Sequence, residues 1–77
     1  MMAEGEFNVF WWDPDGNYHK ELSNVDAETA VKFAMDFPKR PAGLLGFIQR
    51  VIITDGGDFC VYEWKHGEGV TYPERNK

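Results

Sequence analysis

Residues 7–22 read Phe7-Asn8-Val9-Phe10-Trp11-Trp12-Asp13-Pro14-Asp15-Gly16-Asn17-Tyr18-His19-Lys20-Glu21-Leu22. The first six are aromatic or otherwise suited to a pleated strand, and the run stops at Asp13-Pro14-Asp15-Gly16. Proline presets the backbone angle at the second position of a type I turn, and glycine accepts the left-handed conformation that follows it. The stretch therefore predicts a β-hairpin closed by a G1 bulge, with the chain returning over Asn17 to Leu22. In that register Trp12 faces Tyr18, Phe10 faces Lys20 and Asn8 faces Leu22. On the other side Trp11 faces His19 and Val9 faces Glu21, so both faces of the hairpin carry apolar groups.

Working outward, Val25-Asp26-Ala27-Glu28 predicts a helix start. Asp26 is placed to cap the first free N–H groups, Glu28 lies where the helix dipole favours a negative charge, and Val25 is placed to staple onto Ala30. Ala30, Phe33, Ala34 and Phe37 recur at the spacing of one buried helical stripe. Pro38 ends the helix, because the residue before a proline is pushed away from helical angles. Residues 38–46 then read as a loop in which Leu44 and Leu45 must dock somewhere. A second hairpin follows, with strands over 47–54 and 58–65. Gly56-Gly57 suits a two-residue type I′ turn, whose central positions both need positive φ. The expected pairs are Ile53 with Cys60, Val51 with Tyr62 and Gln49 with Trp64 on one face, and Ile52 with Val61 and Arg50 with Glu63 on the other. Val70 and Tyr72 offer a short further segment, and residues 74–77 read as a frayed tail.

The order is ββαββ, two hairpins flanking one helix, which is an α+β fold. The simplest arrangement is a four-stranded, mainly antiparallel sheet with the helix on one face. A chain of 77 residues allows one domain, residues 1–77, with an ordered core over about residues 6–73. Strand order is not legible in the sequence.

Composition narrows the function. Thirteen acids against eight Lys and Arg give a net charge of −5, which disfavours binding to a phosphate backbone. Residues 1–28 hold seven acids and one base, whereas Pro38 to Arg50 holds three bases and no acid. The single cysteine, Cys60, has no intramolecular disulfide partner, and no apolar signal region follows Met1. A cytoplasmic setting is expected. No window approaches the roughly 18 consecutive apolar residues of a membrane span, so no membrane partner is expected either.

The chain contains six Phe, three Trp and three Tyr, more than one short helix can cover. Phe10, Trp12, Tyr18, Tyr62 and Trp64 are the candidate interface residues, read as sharing one sheet face. Core burial is the plainer reading of the same rings. Lys39, Arg40 and Arg50 are candidate anion contacts, against the plainer reading of a solvated connection. The glycines of that segment do not make a phosphate loop, because a helix precedes them and a strand follows. Cys60, in mid-strand among apolar neighbours, reads as an inert small hydrophobe. His19, His66, Cys60, Asp55 and Asp58 lack metal-ligand spacing, and the aspartates read as turn residues. No catalytic residue, metal or cofactor is expected. The leading expectation is a non-enzymatic protein-interaction domain that self-associates through a sheet face or edge. The alternative is a nucleic-acid or nucleotide binder using the aromatic face with the basic segment 38–50.

Overall fold

The hairpin read at residues 7–22 forms one edge of the sheet and the strand next to it. A computed structural model of the chain describes residues 5–73; the tail at 74–77 lies outside the described residues. Strand β1 spans Phe7–Trp12 and β2 spans Tyr18–Val25. Helix α1 follows over Ala27–Asp36, then a 3-10 turn over Phe37–Lys39 and a short helix α2 over Pro41–Leu44. Strands β3 (Arg50–Thr54), β4 (Cys60–Lys65) and β5 (Gly69–Tyr72) complete the chain. The fold is α+β, with all five strands antiparallel in the order β2-β1-β3-β4-β5. The sheet has one strand more than the four expected, because residues 69–72 pair with β4.

The first turn forms as its residues require. Gly16 takes φ +90° and donates its N–H to the Asp13 carbonyl at 3.0 Å. Asp13 Oδ1 accepts from the N–H groups of Asp15 and Asn17 at 3.0 and 2.9 Å. The second turn is the same device, not the type I′ turn expected from Gly56-Gly57. Asp55 Oδ1 accepts from Gly57 and Phe59 at 2.9 and 3.0 Å, and Asp58 takes the left-handed position at φ +68°. An aspartate at the first turn position captures two backbone N–H groups, which moves the left-handed residue one place beyond the glycines.

Those local differences shift registers. Val51 lies opposite Trp64 and Ile53 opposite Tyr62, two residues from the expected pairing, with a bulge before Thr54 and Cys60 meet. A shift of two preserves the faces, since side chains alternate with period two. In the first hairpin, Trp12 with Tyr18, Trp11 with His19 and Phe10 with Lys20 pair as expected. A bulge then sets Val9 opposite Leu22, replacing the expected pairs of Val9 with Glu21 and Asn8 with Leu22. An extra residue in one strand turns the next side chain over, and Leu22 consequently packs against the core.

Asp26 caps α1 by accepting the Thr29 N–H at 2.8 Å, and the Thr29 side chain together with that N–H holds its carboxyl below the ordinary range. The stretch expected as a loop over 38–46 is largely helical, because Pro38 and Pro41 each occupy the first turn of a helical segment. Proline lacks the N–H that would go unused there and has the right φ already. Strand β3 begins at Arg50 and not at Phe47, since Phe47 donates its N–H back to Ala42 of α2. The core is Val9, Val51 and Ile53 from the sheet against Ala30, Ala34 and Ile48.

Candidate functional site

Helix α1 packs on β1, β2 and β3, leaving one sheet face without a helical cover among the described residues. The β1 to β3 pairing decides which side chains occupy it. Phe10 lies opposite Ile52, Trp12 opposite Arg50 and Asn8 opposite Thr54. Continuing outward, Tyr18 and Lys20 pair with Trp12 and Phe10, while Lys65 and Glu63 pair with Arg50 and Ile52. Directly opposed residues share a face. The helix-free face therefore carries one row of Tyr18, Trp12, Arg50 and Lys65, and a second of Lys20, Phe10, Ile52 and Glu63.

Its aromatic rings touch one another and carry cations. The Tyr18 ring centroid lies 6.0 Å from Phe10 and 5.8 Å from Trp12. The Arg50 guanidinium sits 4.6 Å over Trp12, and Lys20 Nζ lies 5.6 Å from the Phe10 ring, both within cation–π range. Arg50 also donates to Glu63 Oε2, and the Thr71 hydroxyl donates to Glu63 Oε1 at 2.8 Å. Burial pushes the Glu63 carboxyl up, but Thr71 and Arg50 outweigh it and hold the group below the ordinary range.

Phe10, Trp12, Tyr18 and Ile52 wall an open cleft of about 300 Å³, with Thr54 and Asp58 completing it. Thr54 is only 8% exposed, and its buried hydroxyl has no hydrogen-bond partner among the described residues. Leaving such a group unpaired costs about 1–3 kcal/mol.

Tyr62 and Trp64 are not on this face, contrary to the shared-face expectation. They oppose Ile53 and Val51 and so point to the helix side. There they line a groove of about 340 Å³ with Met35 from the end of α1, Pro38, Leu44 and Val70. Burial pushes the Tyr62 phenol up.

The three expected anion contacts also separate. Lys39 lines the helix-side groove. Arg40 pairs with Asp36 at 3.5 Å and lies 5.5 Å over both Phe33 and Phe37. Arg50 belongs to the opposite face.

Cys60 is exposed, not buried in mid-strand, because the bulge sets it opposite Thr54 at the start of β4. Its thiol donates to the Tyr62 carbonyl at 3.3 Å. His19 pairs with Asp13 at 3.0 Å and stacks on Trp11 at 4.3 Å. The His19 bond, with the Asn17 N–H, lowers the Asp13 carboxyl. Among the described residues no group of three His, Cys, Asp or Glu is placed to hold a metal ion. No helix of the described residues is long and apolar enough to cross a membrane.

Lys20, Ile52, Thr54, Glu63 and Lys65 were not singled out in the sequence, yet they complete the helix-free face. Their alternation was visible within each hairpin. Only the contact of β1 with β3 joins the two patterns into one surface. Comparison with protein-family models, curated proteins and solved structures gives no match, so the surfaces themselves carry the functional reading.

Proposed function

We propose that this chain is a non-enzymatic protein-interaction domain that self-associates through its helix-free sheet face. The observation that carries the reading is the cluster of Phe10, Trp12, Tyr18 and Ile52 on a face with no helix over it, Tyr18 being 64% exposed. Aromatic rings with nearby Arg are the groups that contribute most to protein contacts, because they bury large area at low entropic cost. The face is favoured over the edges. Edge strand β2 carries Lys20 and Glu21 and two register shifts, and β5 is four residues long and followed by Pro73. Charged, bulged or short edges discourage strand addition. We place this role in the cytoplasm, where a lone exposed thiol such as Cys60 stays reduced.

Light scattering on the eluting protein tests it. At about 100 μM, well above a Kd of order 1 μM, the mass should be twice the 8.9 kDa of the chain. Tyr18→Ala should weaken association at least tenfold, the effect expected on losing an interface anchor. A monomer at that concentration overturns the reading. So does salt-sensitive quenching of tryptophan fluorescence by a short oligonucleotide when no dimer forms, which transfers the face to nucleic acid.

A further inference from the structure

The charge pattern of the helix-free face specifies how two copies meet on it. Across the four strands β2-β1-β3-β4, one row reads Lys20, Phe10, Ile52, Glu63. Over these four strands its outer positions carry opposite charges, Lys20 and a Glu63 whose carboxylate is also held by Arg50 and Thr71 of its own chain, and its two central positions are apolar. The neighbouring row reads Tyr18, Trp12, Arg50, Lys65, aromatic at one end and cationic at the other. Both rows reverse their chemistry about the line between β1 and β3.

Resting on the reading of this face as the contact surface, we propose that the occupant is a second copy related by a two-fold axis running between β1 and β3, parallel to the strands. Rotation about that axis exchanges β1 with β3 and β2 with β4 across the interface. Lys20 then meets the partner's Glu63, and Phe10 meets the partner's Ile52. Trp12 meets the partner's Arg50, and Tyr18 meets the partner's Lys65. Each match is an ion pair, an apolar contact or a cation–π contact, and the symmetry makes each of them twice. Asn8, whose Oδ1 accepts the Asn24 N–H at 3.1 Å, lies opposite the partner's Thr54 in the same arrangement.

The other axis available to two stacked sheets lies in the interface across the strands. Placed along the same row, it sets Lys20 against Lys20 and Glu63 against Glu63, and such like-charge juxtaposition discriminates against that arrangement. Stacked sheets lie about 10 Å apart with strand directions within about 30° of each other. At Lys20, about 7 Å from the axis, that angle displaces the chain by under about 4 Å, within the reach of a lysine side chain. Lys20 and Glu63 are therefore the residues that select the partner and fix its orientation.

Reciprocal charge reversal tests the arrangement. Lys20→Glu makes both row ends acidic and Glu63→Lys makes both basic, so each variant alone should associate at least tenfold more weakly than the parent protein. Mixed in equal amounts, the two should recover a dimer of one chain of each, because both end pairs are then attractive. A carbodiimide, which joins an amine to a contacting carboxylate without a spacer, provides a second measurement on the unaltered protein. Within one chain Lys20 and Glu63 are three strand spacings apart, about 14 Å. A Lys20–Glu63 cross-linked peptide recovered from the dimer band thus reports contact between copies, and it decides the matter if Glu63→Lys does not fold. Self-association with no effect of either reversal and no such peptide overturns the arrangement while leaving self-association standing. A parent protein that is monomeric overturns both.

Discussion

Ile53→Ala is expected to lower the unfolding free energy by about 3 kcal/mol, within the range for emptying a core isoleucine site. Ile53 is 1% exposed and lies between Val9 on β1 and Tyr62 on β4, facing the helix. It is the largest fully buried side chain in a core of six small or aliphatic residues, so few neighbours can move in to fill the space. At roughly 0.05–0.15 kcal/mol per residue, a domain of this size has a total stability of order 4–12 kcal/mol. The substitution removes a large share of it. With a urea m-value near 1 kcal/mol/M, the midpoint should fall by roughly 3 M. Ile52→Ala, one residue away but on the helix-free face, is the control, and it should cost about 1 kcal/mol or less in folding while weakening self-association. Equal folding costs at the two positions would contradict the assignment of faces.

Gly43→Ala is expected to destabilise the protein by about 2 kcal/mol, although alanine normally stabilises a helix by up to about 1 kcal/mol over glycine. Gly43 is buried in α2. A Cβ built there would overlap the Pro38 carbonyl and lie 2.7 Å from Pro38 Cα. The obstruction is backbone, so a side chain cannot swing aside to relieve it. Relief requires α2 and the preceding 3-10 turn to part, which also displaces Leu44 and Pro38 from the helix-side groove. Denaturant unfolding of the variant measures the sign directly. A gain in stability would show that these turns do not pack as described.

Local chemistry made much of this fold legible. The Asp13-Pro14-Asp15-Gly16 turn, the Asp26 cap and the helical stripe of Ala30 and Ala34 all depend on residues close in sequence, and each forms as expected. The second turn was misread because glycine pairs advertise positive φ more loudly than Asp55 advertises its carboxylate, yet the carboxylate organises two backbone N–H groups. The segment after the helix was misread because Pro38 signals a helix end and equally a helical first turn. What lies on which face was legible over most of each hairpin, as the separation of Arg50 and Glu63 from Tyr62 and Trp64 shows, but Leu22 and Cys60, beyond the bulges, lie on the faces opposite to those expected. How the hairpins align with each other depends on the β1 to β3 contact, which no local pattern records. That contact set Tyr62 and Trp64 apart from Phe10, Trp12 and Tyr18, and it brought Arg50 onto Trp12. The excess of aromatic area over one helix's reach was legible, and the structure divides it between an open face and a groove on the helix side.

The central claim is that the helix-free face is what the protein covers when it associates. Hydroxyl-radical footprinting over a concentration series tests this most directly, because it reads the exposure of individual side chains. Tyr18 is 64% exposed in the single chain, whereas Leu45 and Phe59, away from the proposed contact rows, are 73% and 72% exposed. Oxidation of Tyr18 should fall as the protein is concentrated through its association range, while Leu45 and Phe59 react unchanged. Constant reactivity at Tyr18, with protection appearing at Leu44, Leu45 and Met35 instead, would place the contact on the helix side and contradict it.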